Sequence, residues 1–247
     1  MTDLPEEPWA RLKALMDRLR TDCPWDRAQT HATIAPYTIE EAYEVKDAVD
    51  RADMAELKNE LGDLLFQVLF QARIASEGGY FDLDDVADGL VEKMVRRHPH
   101  VFGDSDQPDW DAIKAAERGH DAKARTLDGV ALALPALMRA QKLQKRAARV
   151  GFDWPSADGA YAKIAEEAAE LRDAPQDRRH EEAGDLLFSA VNLVRKLGLD
   201  AEAALRDASD KFTRRFEAVE DAAGGSVEGL SLDEMEAHWQ AAKRAER

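Results

Sequence analysis

Glu60-Leu61-Gly62-Asp63-Leu64-Leu65-Phe66-Gln67-Val68-Leu69-Phe70-Gln71-Ala72 is the stretch on which the reading of this chain turns. Its apolar residues recur at three and four positions, the period of a helix. Leu61, Leu64, Leu65, Val68, Leu69 and Ala72 make one stripe, while Phe66 and Phe70 cover much of the opposite side. Such a helix is expected to be buried nearly all round. Glu60, Asp63 and Gln67 fall in the remaining sector, so they are expected to face a site between helices rather than bulk water. Ionised carboxylates withdrawn from water are unstable unless protons or a cation compensate them, and a bound metal ion is the usual solution.

A partner for these acids lies upstream in Glu40-Glu41-x-x-Glu44. At about 100° per residue, Glu40, Glu41 and Glu44 project from one helix face. Both signatures then recur in the same order: Glu166-Glu167-x-x-Glu170, followed by Glu182-Ala183-Gly184-Asp185-Leu186-Leu187-Phe188. Further matches extend the repeat. Lys93-x-x-Arg96-Arg97 pairs with Lys211-x-x-Arg214-Arg215, and Trp110-x-x-x-Lys114-x-x-Glu117-Arg118 pairs with Trp239-x-x-x-Lys243-x-x-Glu246-Arg247. Spacings drift by a few residues between copies, as expected when helices are kept and loops vary. The chain therefore reads as a duplication, with an N-terminal domain over 1–120, a linker over 121–133 and a C-terminal domain over 134–247.

At 247 residues and 45% hydrophobic content, the chain can fill one large core or two small ones. Sparse Gly and Pro, with abundant Ala, Leu, Glu and Arg, predict an all-α fold. Helices are expected at about 7–21, 38–50, 53–76, 83–97, 109–118, 134–148, 158–173, 178–197, 201–221 and 231–246. A formal charge of −16 disfavours nonspecific attraction to nucleic acid or anionic membranes. Cys23 is the only cysteine, which excludes an intrachain disulfide and a thiolate metal cluster. With no secretory leader and no long apolar run, the expected location is the cytoplasm.

Carboxylates without His or Cys favour hard ions, with magnesium the default and manganese a possible substitute. A di-iron bundle would want Glu-x-x-His on two helices, whereas these pairs are Glu-x-x-Glu and Glu-x-x-Asp, and the DxDxDG loop of a calcium module does not occur. Magnesium held this way takes further oxygens from substrate phosphates. Basic pairs four residues apart, Lys93/Arg97 and Lys211/Arg215, can hold a polyphosphate, and Trp239 beside Lys243 sets an aromatic plate next to an ammonium. No GxxxxGK[ST] loop or strand-flanked GxGxxG is present, so any phosphate would be bound by metal and side chains. Each feature alone has a plainer reading: a solvated acidic face, surface ion pairs, Trp110 and Trp239 as core anchors, and Lys163 as the helical partner of Glu166 and Glu167. His31, His98, His100 and His180 read as loop or cap residues.

These motifs, with Cys23-Pro24-Trp25-Asp26, Tyr37-Thr38-Ile39-Glu40-Glu41-Ala42-Tyr43-Glu44-Val45, Arg96-Arg97-His98-Pro99-His100-Val101-Phe102 and Arg149-Val150-Gly151-Phe152-Asp153-Trp154, carry a resemblance over nearly the whole chain. The chain resembles the MazG family of all-α nucleoside triphosphate pyrophosphohydrolases with two tandem domains. The resemblance implies hydrolysis of a nucleoside triphosphate to monophosphate and pyrophosphate with magnesium, serving nucleotide-pool cleaning or control, in helical bundles completed by homodimerisation. It implies Glu167, Glu170, Glu182 and Asp185 as metal ligands, with Glu41, Glu44, Glu60 and Asp63 their first-copy counterparts. Lys163, Lys211, Arg215, Trp239 and Lys243, with Lys93 and Arg97 in the first copy, then stand as nucleotide contacts, and Glu166 or Glu181 as general base.

Two differences separate the copies. Eleven residues lie between Glu170 and Glu182 against fifteen between Glu44 and Glu60, and Asp173-Ala174-Pro175 interrupts the helix, which points to an altered or more open second site. Yet Tyr37 stands in the first copy where Lys163 stands in the second, so the second is favoured as catalytic. The competing function is a non-catalytic helical dimer that binds nucleotide or a protein partner and keeps the acids as a structural metal site.

Overall fold

The structure, a computed structural model, describes residues 4–103 and 125–246. Among the described residues every regular element is helical, in agreement with the all-α reading. The chain divides into two compact units, Met1–His120 and Asp121–Arg247.

The first unit contains α1 (Pro8–Asp22), α2 (Pro24–Ala28), α3 (His31–Asp50), α4 (Met54–Glu77), α5 (Leu83–Arg97) and α6 (Pro99–Phe102). α3 starts well before the expected residue 38. Thr30 and Thr33 form a reciprocal capping box that sets the helix in motion, and Pro36 is carried inside it. A proline inside a helix removes one backbone hydrogen bond, a loss that this helix carries. The short α2 and α6 were also not anticipated; each begins at a proline after a non-helical residue. The helix expected over 109–118, with Trp110, Lys114, Glu117 and Arg118, lies outside the described residues.

Met16, Ile34, Leu69, Phe70, Ala72 and Leu83 build the first core. Phe70 meets Phe66 edge-on at 5.7 Å and carries the Arg20 guanidinium 5.5 Å from its ring centre. Arg20 also pairs with Glu77 at 2.5 Å and donates to the Gln29 carbonyl, which fastens α1 to α4 and to the loop ahead of α3. The expectation that α4 is buried all round is not met. Leu61 and Val68 are 49% and 39% exposed. Within its own unit α4 packs on α3, α1 and α5, and these neighbours do not enclose its whole circumference.

The second unit contains α7 (Ala136–Arg149), α8 (Ala157–Asp173), α9 (Arg179–Lys196), α10 (Ala201–Ala222) and α11 (Leu232–Ala245). Two buried glutamines bind its helices through the backbone. Gln141 donates to the Leu199 carbonyl at 3.1 Å and accepts from the Ala201 amide at 2.8 Å, so it caps α10, while Gln144 donates to the Phe188 carbonyl at 2.8 Å.

The α3–α4 and α8–α9 hairpins carry the acids, and they differ by an even trim. From Glu44 the first helix runs on to Asp50, and the next starts at Met54, so both arms extend six residues beyond the acids. From Glu170 the corresponding helix runs only to Asp173, and α9 starts at Arg179, so both arms extend three. Three residues is roughly one turn. Because the trim is equal on both sides of the turn, the acids stay level.

Candidate metal and phosphate site

In the second unit Glu167, Glu182 and Asp185 each present an oxygen, and these lie within 4.8 Å of one another. Glu166, Glu167 and Glu170 form a second such group that shares Glu167. Glu167 and Glu182 are buried, at 4% and 6% exposure, on facing helices. That burial is what the apolar surroundings of α9 impose. It is also costly, and two cations meet part of the cost: Lys163 Nζ stands 2.6 Å from Glu167 and 2.7 Å from Glu166, and Arg178 Nη2 stands 2.6 Å from Glu182. The hydrogen bonds to Glu166 and Glu167 raise the Lys163 ammonium above the ordinary lysine range, so it stays charged. Glu167 Oε2 is left buried without any hydrogen-bond partner. An unpaired buried carboxylate oxygen on a residue that gathers with two further carboxylates suits a hard divalent cation. Glu170 is raised above its usual range, first by withdrawal from water and then by Glu167. The second site is thus closely gathered, contrary to the more open site that the shortened connection suggested; the even helical trim is the reason.

The first unit gathers Glu41, Glu60 and Asp63 within the same 4.8 Å. Glu44 is outside that trio but close enough to raise both Glu41 and Glu60. Here, among the described residues, no Lys or Arg pairs with the acids. The position of Lys163 is held by Tyr37, and that of Arg178, four residues before the second-signature glutamate, by Glu56. Loss of water contact, a hydrogen bond to Glu56 and the charge of Glu44 together push Glu60 up to about 7. The same signature therefore makes two electrostatically different sites. Arg178 and Glu56 escaped the sequence reading, although their i,i+4 spacing to Glu182 and Glu60 was the available signal.

The expected phosphate contacts of the second unit lie on α10 and α11. Arg215 stacks 5.8 Å from the centre of the Trp239 ring, which in turn packs 5.3 Å from Phe212. Trp239 is half-buried in this stack, so it anchors the two helices to each other. Lys211 is exposed and Lys243 half-buried on the same pair of helices. In the first unit Lys93 and Arg97 sit half-buried on the last two turns of α5. Glu181 is exposed and pairs with Arg178 at 3.4 Å, and it belongs to neither carboxylate group. Of the histidines, His31 and His180 are in first helical turns, His98 caps α5 and His100 is within α6.

A family model described as the MazG nucleotide pyrophosphohydrolase domain matches residues 29–102, which include the first acid hairpin. The chain is 50% identical over 255 residues to a protein of Escherichia coli (strain K12) named nucleoside triphosphate pyrophosphohydrolase, covering 96% of this chain and 97% of that one. It is 45% identical over 241 residues to a Thermotoga maritima protein named nucleoside triphosphate pyrophosphohydrolase/pyrophosphatase MazG, covering 94% of each. A Bacillus subtilis protein named as uncharacterized, YabN, is 44% identical over 240 residues, which is 91% of this chain but 49% of YabN.

Proposed function

The chain belongs to the MazG family, and from that premise we propose that it hydrolyses nucleoside triphosphates to monophosphates and pyrophosphate at carboxylates that hold a divalent ion, magnesium by default and manganese as a substitute. One observation supports this reading above the others: Glu167, Glu182 and Asp185 converge, and the buried Glu167 Oε2 lacks a partner. The printed names of the Escherichia coli and Thermotoga maritima relatives supply the reaction. The two units are read as tandem domains of one kind. The exposed Leu61 and Val68 on α4 suit a homodimer. No helix among the described residues is long and apolar enough to cross a membrane, which is compatible with action in the cytoplasm.

In this mechanism Glu167, Glu170, Glu182 and Asp185 would hold the ion, which would supply Lewis-acid polarisation of the α-phosphoryl group and lower the pKa of the attacking water. Glu166, a member of the α8 carboxylate group, is better placed than Glu181 to take the water proton. The water oxygen bonds to the α-phosphorus, the bond to the bridging oxygen breaks, and pyrophosphate leaves with the electron pair. Lys163, Arg178, Lys211, Arg215 and Lys243 offset its charge. We assign turnover chiefly to the second unit, because its acids are paired with cations that a triphosphate can use, whereas the first unit has Tyr37 and Glu56 at those places.

The test is pyrophosphate release from a panel of nucleoside triphosphates with magnesium. Glu170→Ala is expected to lower the rate about 100-fold or more, and Glu44→Ala far less. Equal losses would overturn the choice of unit; diphosphate and orthophosphate as products would overturn the reaction, and metal binding without turnover would favour a structural metal site.

A further inference from the structure

Arg215 has a second partner besides Trp239. Its Nε and Nη2 both donate to Glu246 Oε2, at 2.8 and 2.5 Å. Glu246 is the C-cap of α11 with helical backbone, seven residues after Trp239, so the two project to nearly one side, with Lys243 between them in sequence. The guanidinium, 19% exposed, is thus stacked on one residue of that side and hydrogen-bonded to another. A guanidinium has five N–H donors in a planar fork. Glu246 takes the Nε side and leaves the Nη1 side, where no protein acceptor is found among the described residues. The surrounding charge stays positive, because Lys211 and Arg214 also act on the Glu246 carboxylate and, after the hydrogen bond from Arg215, help hold it below its usual range.

We propose that Glu246 is a positioning residue for the substrate: it fixes the Arg215 guanidinium against Trp239 so that the Nη1 edge is presented to the phosphates of the nucleoside triphosphate. This rests on the reading of Arg215 as a nucleotide contact. Arg loses substantial rotamer freedom when it is fixed, so holding it in place before binding spares the substrate that cost. The internal duplication retains the same arrangement of residue types: Glu117 stands seven residues after Trp110, as Glu246 does after Trp239, and each copy has its Arg upstream, Arg97 and Arg215. A carboxylate next to a phosphate-binding cation is otherwise a hindrance, and an ion pair at a helix end contributes little to stability. Its place in the second copy is explained by what it does to Arg215.

The experiment measures kcat and KM for pyrophosphate release with ATP, GTP, CTP and UTP in the full chain bearing Glu246→Ala, Glu246→Gln, Arg215→Ala or the double change, with thermal midpoints alongside. Glu246→Ala is expected to raise KM roughly three- to tenfold with kcat within about twofold and an unchanged midpoint, and Glu246→Gln, which retains an acceptor oxygen, to recover part of the loss. In the Arg215→Ala background the Glu246→Ala change is expected to add nothing, the signature of one residue acting through another. An unchanged KM in Glu246→Ala, a lowered KM, or equal effects with and without Arg215 would overturn the proposal. An Arg215→Ala enzyme with unaltered KM would instead sink the reading of Arg215 as a nucleotide contact, so the two failures are told apart.

Discussion

Glu60 shows how one side chain can report the state of a whole site. Its carboxyl is held up to about 7 by lost water contact, by Glu56 and by Glu44, and no cation among the described residues relieves it. Raised above the unfolded value, it binds a proton more tightly in the folded chain, so between about 4.5 and 7 folding stability falls as pH rises. In chelator, raising the pH from 5 to 8 is therefore expected to lower the thermal midpoint, and Glu60→Gln, which cannot ionise, to flatten that dependence. A midpoint in Glu60→Gln that falls with pH as steeply as in the unaltered chain would contradict this account. The acids themselves were legible in sequence, since carboxylates on a greasy helix are conspicuous. Their compensation was not: Lys163 was seen, but Arg178 and Glu56 acquire meaning only when Glu182 and Glu60 turn out to sit against them.

The acid hairpins set the geometry at the level of elements. Between α3 and α4 the chain reverses in three residues, and Ala52 takes a φ of 54°, the left-handed region that a Cβ disfavours. Asp53 then caps α4 through the Ala55 and Glu56 amides. Ala52→Gly is expected to stabilise the first unit by about 0.5 to 1 kcal/mol, read as a raised midpoint in urea, because the strain relieved exceeds the flexibility added to the unfolded chain. A loss of stability would mean that the methyl group makes a favourable contact. Apart from the short α6, the described helices from α4 onward followed the apolar period within a few residues. α3 starts seven residues before the expected 38, at the Thr30 cap, and carries Pro36 inside it. The consequence of the shorter second connection was misjudged because residue counts alone do not tell whether a deletion falls on one arm or equally on both.

Carboxylates gathered in both units of a chain of formal charge −16 are expected to make the molecule responsive to divalent ions. Adding magnesium is expected to raise the thermal midpoint more than sodium chloride of equal ionic strength, by an amount equivalent to about 2.7 kcal/mol at a hundredfold excess over the dissociation constant. Chelation should reverse it. Combined Glu60→Gln and Glu182→Gln changes should abolish the difference between the salts; its persistence would place the ions elsewhere. The sequence by itself determined the helical class and the repeated order of the acid pairs, because periodicity and order are properties of residue type and spacing. Tertiary structure alone decided which acid oxygens come within reach of one another, that Arg178 is set against Glu182 while no Lys or Arg among the described residues pairs with the first-unit acids, and that Glu246 holds Arg215. Those are matters of distance between helices, and electrostatic energy depends on distance and burial, neither of which is written in a linear spacing.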